Sequence, residues 1–188
     1  MKDLFRGKIV RLTGDEPEAR AKAETLWQRD TEYFRLMSGG PLEMASEKKK
    51  REWFEKQAEA GFQPDRYPFG IHTLEDDKLI GFLFLWLDLM HAEVWVGIGI
   101  GDREHWGKGY GTDAMKLSVQ YAFMELGARR VSLGLFEYNA RALRSYEKVG
   151  FRLEGRTRGD IFREGKRYDS LWMGILREEW FELKKGGR

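Results

Sequence analysis

Gly101-Asp102-Arg103-Glu104-His105-Trp106-Gly107-Lys108-Gly109-Tyr110-Gly111-Thr112-Asp113-Ala114 is the stretch that decides the fold of this chain. Glycines at 107, 109 and 111 alternate with bulkier residues, directly after a β-type run and directly before a helical one. Glycine takes up φ > 0 at no steric cost and lets backbone N–H groups come close to a ligand. The helix that follows points its positive dipole end and its unpaired N–H groups back into the loop. Strand, glycine loop and helix start make a cradle for a pyrophosphate.

Spacing decides which cradle it is. A P-loop needs four residues between its first glycine and a Gly-Lys pair, then Ser or Thr. Here Gly101 and Gly107 enclose five residues, and Gly109 follows Lys108. The dinucleotide fingerprint reads G-x-G-x-x-G with an acidic residue about twenty positions on. Gly107, Gly109 and Gly111 read G-x-G-x-G, and no acid closes a strand at that distance. What remains resembles the (Q/R)-x-x-G-x-(G/A) loop of the GNAT superfamily of acyl-CoA-dependent N-acyltransferases. Trp106 stands at the Gln/Arg position, and Gly109 and Gly111 fall on the pattern's glycines. Taken alone, the same glycines also suit an ordinary glycine-rich turn.

A length of 188 residues suits one domain with a sizeable core. Net charge is +2, with acids and bases interleaved, which argues against a dedicated nucleic-acid or membrane-surface binder. The chain has no Cys, so disulfides, thiolate metal sites and a thiol nucleophile are excluded, and a reducing compartment fits. Three scattered histidines make a metal site improbable, and none is expected. No apolar run reaches bilayer-spanning length, and the N-terminus has no signal-peptide core. The expected protein is cytoplasmic, with exposed strand edges that make a homodimer plausible.

The hydrophobic pattern predicts a strand over residues 8–12 and helical pattern from Pro17 to about Met37, with Asp15 as candidate cap. Ser46 can cap a further helix that ends before Gly61. Residues 68–74, 78–87 and 93–100 read as strands, the first two forming a hairpin. A long, largely buried helix spans residues 110–126, with Gly127 past its end. A strand over 129–136, a helix over 139–149 capped by Asn139, and a hairpin of 151–163 with 166–176 follow. The charged tail from Arg177 reads as a short helix. Residues 1–7 and 184–188 are expected to fray from a single domain spanning 1–188. The order gives one mixed α/β sheet (α+β), mostly antiparallel and twisted, with helices on both faces. It matches the GNAT fold from end to end.

The segment Asn139-Ala140-Arg141-Ala142-Leu143-Arg144-Ser145-Tyr146-Glu147-Lys148-Val149-Gly150-Phe151 resembles the family's N-x-x-A-x-x-x-Y-x-x-x-G-F. Asn139 and Tyr146 lie at i and i+7, so one helix face presents both. The resemblance implies that Asn139 contacts the pantetheine arm of acetyl-CoA and that the Tyr146 hydroxyl protonates the leaving thiolate. Asn139 as a plain N-cap and Tyr146 as a packed aromatic are the alternatives. It also implies that the Trp106, Gly107, Lys108, Gly109, Tyr110, Gly111 and Thr112 amides bind pyrophosphate, with Lys108 adding charge. Pantetheine would run beside the strand at Ile98, Gly99 and Ile100. Val94, Val96, Ile98 and Ile100 share one face of that strand, and Glu93, Trp95, Gly97 and Gly99 the other. A bulge there would splay the neighbouring strands and expose amides for the thioester carbonyl.

An attacking amine must lose a proton, and Glu93, on the glycine face, is the candidate general base. Asp88 and His91 are alternatives, and a solvated strand-end carboxylate is the plain reading. Residues 165–180, with Trp27, Asp30, Arg35 and Leu36, resemble the ribosomal-protein N-acetyltransferase (Rim-type) branch, which also acts on small amines. Acceptor contacts are expected from residues 33–46 and 62–69. The expected activity is direct acetyl transfer from acetyl-CoA to a primary amine, such as a protein N-terminus or a polyamine. The rivals are a non-catalytic acyl-CoA sensor and a nucleotide-binding module.

Overall fold

The computed structural model describes residues 3–186. Its elements run β1 (Val10–Thr13), α1 (Pro17–Trp27), α2 (Thr31–Met37), α3 (Glu47–Glu59), β2 (Arg66–Thr73), β3 (Leu79–Asp88) and β4 (Glu93–Ile100). A 3₁₀ turn (Arg103–His105) precedes α4 (Tyr110–Met124), β5 (Arg130–Phe136), α5 (Ala140–Val149), β6 (Arg152–Arg163), β7 (Lys166–Leu176) and α6 (Arg177–Gly186). The strands form one sheet of seven in the order β1-β2-β3-β4-β5-β7-β6. Every neighbouring pair is antiparallel except β4 and β5. Among the described residues no helix is long and apolar enough to cross a membrane.

The core sits under α4. Ala114, Met115, Leu117, Val119, Ala122 and Phe123 are buried against Val94, Val96, Val131 and Leu133 of the sheet. The one buried hydroxyl on that helix, Ser118, donates back to the Met115 carbonyl, so no polar group is stranded. Helices α1 and α2 cover part of the opposite face. Trp27 lies on Gly101, Met37 on Gly99, and the Arg20 guanidinium over the Phe82 ring.

Several local expectations are corrected. The helical pattern from Pro17 to Met37 breaks in two, because Asp30 turns out of the helix and caps α2 by accepting from the Glu32 and Tyr33 N–H groups. Asp15 does not cap α1; it accepts from Arg20 and His72 instead. Segments near both ends of the described residues pack on α4. Phe5 packs on Phe69 and Tyr121, the Gly7 N–H donates to Val10, and Trp180 of α6 is buried against Phe123. Residues 1–2 and 187–188 lie outside the described residues. Within residues 47–52 of α3, Lys48 pairs with Glu52 on the exposed face, while Lys50 turns inward and pairs with Glu24 of α1.

One feature of the sheet makes the site. Strands β3 and β4 stay in unbroken register from Gly81↔Ile100 to Asp88↔Glu93. Strands β4 and β5 pair only over Glu93–Trp95 with Arg130–Ser132 and then part. The sheet therefore splits, and the β4 edge over residues 96–100 has no strand beside it. No bulge between β3 and β4 accompanies the split.

Candidate active site

The glycine loop is held by its own side chains. Asp102 accepts from the Glu104 N–H at 3.0 Å and pairs with Lys78 at 2.7 Å. Trp106 Nε1 donates to the Ile100 carbonyl at 2.6 Å, which closes the loop onto the end of β4. Gly107 and Gly109 sit at φ +74° and +95°, where a Cβ is strained. Gly109 is the N-cap of α4 and offers no side chain, so the first amides of the helix are left open to an anion. That cradle offers backbone donors to an anionic group.

Helix α5 closes the other side. Asn139 caps it, its Oδ1 accepting from the Ala142 N–H at 3.2 Å, while its Nδ2 group bonds to none of the described residues. The cap and the pantetheine contact are therefore compatible in one side chain. Ser145 meets Thr112 of α4 hydroxyl to hydroxyl at 2.7 Å, which fixes the two helices against each other. Arg141 stacks on Trp106 with its guanidinium carbon 3.7 Å from the ring centroid, and Arg103 lies 4.9 Å from the same ring. Trp106 thus brings two guanidiniums to a loop position where the family pattern has Gln or Arg. Burial lowers the Arg141 pKa from its ordinary value. Arg103 also pairs with Asp30 at 2.6 Å and with Glu32, tying the loop to α2. Burial pushes the Asp30 carboxyl up, but the Tyr33 N–H and Arg103 outweigh it and hold it below the usual range.

Loop, split edge and α5 enclose a cleft of about 400 Å³. Ile98, Gly99, Ile100, Trp106, Gly107, Gly109, Tyr110, Gly111, Thr112, Asn139 and Tyr146 all line it. Burial pushes the Tyr146 phenol up to about 12. Lys108 is exposed beside the loop and is not part of the lining. Nor is Glu93, the candidate base. It sits where β4 and β5 are still paired, and its carboxylate accepts from Arg130 Nε at 3.0 Å and from the Ser132 hydroxyl. Its alternatives fare no better. Asp88 accepts from the Met90 and His91 N–H groups in the β3–β4 turn, and His91 is exposed there. Among the described residues no carboxylate lines the cleft.

Other lining residues escaped the sequence reading: Arg141, Arg144 and Lys148 on α5, and Gly134 and Phe136 on β5. The three cations recur at i, i+3 and i+7, a helix-face signal that was available. Of the acceptor segments, Tyr33, Leu36 and Met37 reach the cleft. Residues 62–69 do not. Phe62, Tyr67 and Phe69 form an aromatic cluster with Tyr121 of α4 instead.

Comparison with known proteins agrees with this geometry. Residues 11–152 match an acetyltransferase (GNAT) domain. The chain is 38% identical over 113 residues to the probable N-acetyltransferase YjcK of Bacillus subtilis, a match covering 60% of this chain and spanning 62% of YjcK's length. It is 31% identical over 137 residues to the prophage-derived N-acetyltransferase YokL of the same organism, covering 72% of this chain and 73% of that one. Among solved structures, the spermidine N-acetyltransferase of Vibrio cholerae in complex with CoA and spermine superposes with a TM-score of 0.76. That superposition covers 92% of this chain and 96% of that one at 20% identity, a likeness of fold. With the glycine loop, the split sheet and a domain match across most of its length, this chain belongs to the GNAT acetyltransferase family.

Proposed function

We infer that the protein transfers the acetyl group of acetyl-CoA directly to a primary amine. The observation that carries this reading is the single cleft in which the open α4 amides, the unpaired β4 edge and Tyr146 all meet. Acetyl-CoA is a substrate here and supplies a thioester as the activated acyl donor. The amides at the start of α4 and the Arg141–Trp106 stack hold its phosphates. Unpaired N–H groups along residues 96–100 orient the thioester arm and its carbonyl, as a neighbouring strand would be held. The amine nitrogen attacks the carbonyl carbon, the carbon–sulfur bond breaks, and the Tyr146 hydroxyl gives its proton to the sulfur. With no carboxylate in the lining, the amine's proton leaves to water. The chain has no Cys to form an acyl-thiol intermediate, which supports direct attack in a ternary complex.

The acceptor belongs to the same proposal. A protein N-terminus fits the Rim-type character of residues 165–180, and a polyamine fits the spermidine acetyltransferase of like fold. The test is release of free CoA from acetyl-CoA in the presence of an amine panel, with the acetylated amine identified by mass. Acetyl-CoA binding without any turnover would instead identify a non-catalytic acyl-CoA sensor.

A further inference from the structure

We propose that the acceptor is an amine attached to an aromatic or large apolar group, seated above Gly97, and not a polycation. This rests on the acetyl-transfer reading. The glycine face of β4 is not evenly open. A Cβ on Gly99 would meet Met37 Sδ and Phe82 Cε1 at 3.0 Å, so α2 fills the space there. A Cβ on Gly97 would meet nothing within 4 Å, and Gly97 lines the cleft. The room left on this face is therefore one niche wide.

Its walls are apolar. Phe84 is the cross-strand partner of Gly97, so its ring rises on the same face. Trp95, two residues along β4, shares that face as well. Across the split, the Trp172 ring covers Gly134, with a ring carbon 2.8 Å from where a Cβ would stand. Trp95 and Trp172 meet edge to face at 5.9 Å, spanning the closed end of the split. Both are about 40% exposed, large indoles outside the cleft lining itself. Aromatic groups pack on such edges with directional preference.

The charges around the niche argue the same way. A polyamine needs unpaired carboxylates. Glu93 and Glu154 both pair with Arg130, Asp30 and Glu32 with Arg103, and Glu164 with Arg35. These five carboxylates already have their cations.

The test compares kcat/KM for four acceptors with acetyl-CoA: a peptide beginning with Phe, phenethylamine, a peptide beginning with Ser, and spermidine. One of the two aromatic amines should exceed both others by about tenfold or more, and the faster of the two tells whether the group arrives on a peptide or on a free amine. Gly97 is outside the left-handed region and faces open space, so Gly97→Leu should fold. It should raise the aromatic acceptor's KM at least about fivefold. Trp95→Ala, outside the cleft lining, should do the same while leaving acetyl-CoA affinity by calorimetry unchanged. Spermidine or the Ser peptide matching the aromatic amines would overturn the inference while leaving acetyl transfer standing. So would unchanged KM in both variants. Acetyl-CoA turnover with none of the four would overturn both readings.

Discussion

Tyr146 and Glu93 show how environment assigns roles to residues that look equally reactive on paper. In the proposed transfer a donor keeps its proton until the leaving sulfur takes it, and burial pushes the Tyr146 phenol up to about 12. Tyr146→Phe is expected to keep acetyl-CoA affinity by calorimetry while lowering kcat by ~10²–10⁴. Because the neutral phenol dominates below its raised value, wild-type turnover should show no alkaline loss from Tyr146 through about pH 10. Glu93, by contrast, spends its carboxylate on Arg130 and Ser132. Glu93→Gln should leave the pH–rate profile superimposed on the wild type's and lower stability to denaturant by about 1 kcal/mol. An acid limb that flattens in the mutant would return Glu93 to proton transfer. With no carboxylate among the described lining residues, the limb of the wild type should instead follow the acceptor amine. That amine titrates near ~7.7–8.0 for an N-terminus and ~10.4 for a lysine-like group.

At the scale of elements, the loop between β4 and α4 carries the proposed acetyl-CoA contacts. Two of its glycines do different work. Gly109 sits at φ +95° as the N-cap of α4, where a β-branched side chain is strained and would also crowd the open amides. Gly111 lies in the first helical turn outside the left-handed region, and a Cβ there would touch Ile100 Cγ1 at an ordinary 3.5 Å. Gly109→Val is therefore expected to weaken acetyl-CoA binding more than tenfold, over ~1.4 kcal/mol. Gly111→Ala should stay within about twofold, since a tolerated surface change is worth roughly 0.5 kcal/mol or less. Calorimetry on the two folded variants separates a backbone requirement from mere crowding; equal losses would contradict it. Arg103 links this loop to α2 through Asp30 and Glu32, so the element that carries Tyr33, Leu36 and Met37 into the cleft is anchored to the donor-binding loop.

At the scale of the molecule, much was legible because it is local. Glycines that need φ > 0, caps such as Ser46 and Asn139, and alternating apolar residues act over a few positions. Strands β4 and β7 accordingly begin and end where the pattern puts them. The two spaced motifs also named the cleft's residues at the start of α4 and, from the α5 segment, Asn139 and Tyr146, since each motif lies on one element and its faces follow from helical periodicity. The break at Asp30 was not legible, because a cap inside a helical pattern is chosen by its partner, here Arg103, seventy-three residues away. That Glu93 lies outside the cleft lining was not legible either, for a related reason. The pattern of β4 gives the face on which Glu93 lies, but not how far along the strand its neighbour β5 remains paired. Pairing between strands separated by a whole helix is decided by long-range packing, and that pairing closes the end holding Glu93 and opens the end beside Gly97. Sequence by itself determined most of the elements, the family resemblance and the glycine loop, because short-range sterics and periodicity write them. Only the tertiary structure decided where the sheet splits, which carboxylates are already paired and which glycine faces empty space, because each depends on chains that meet from far apart.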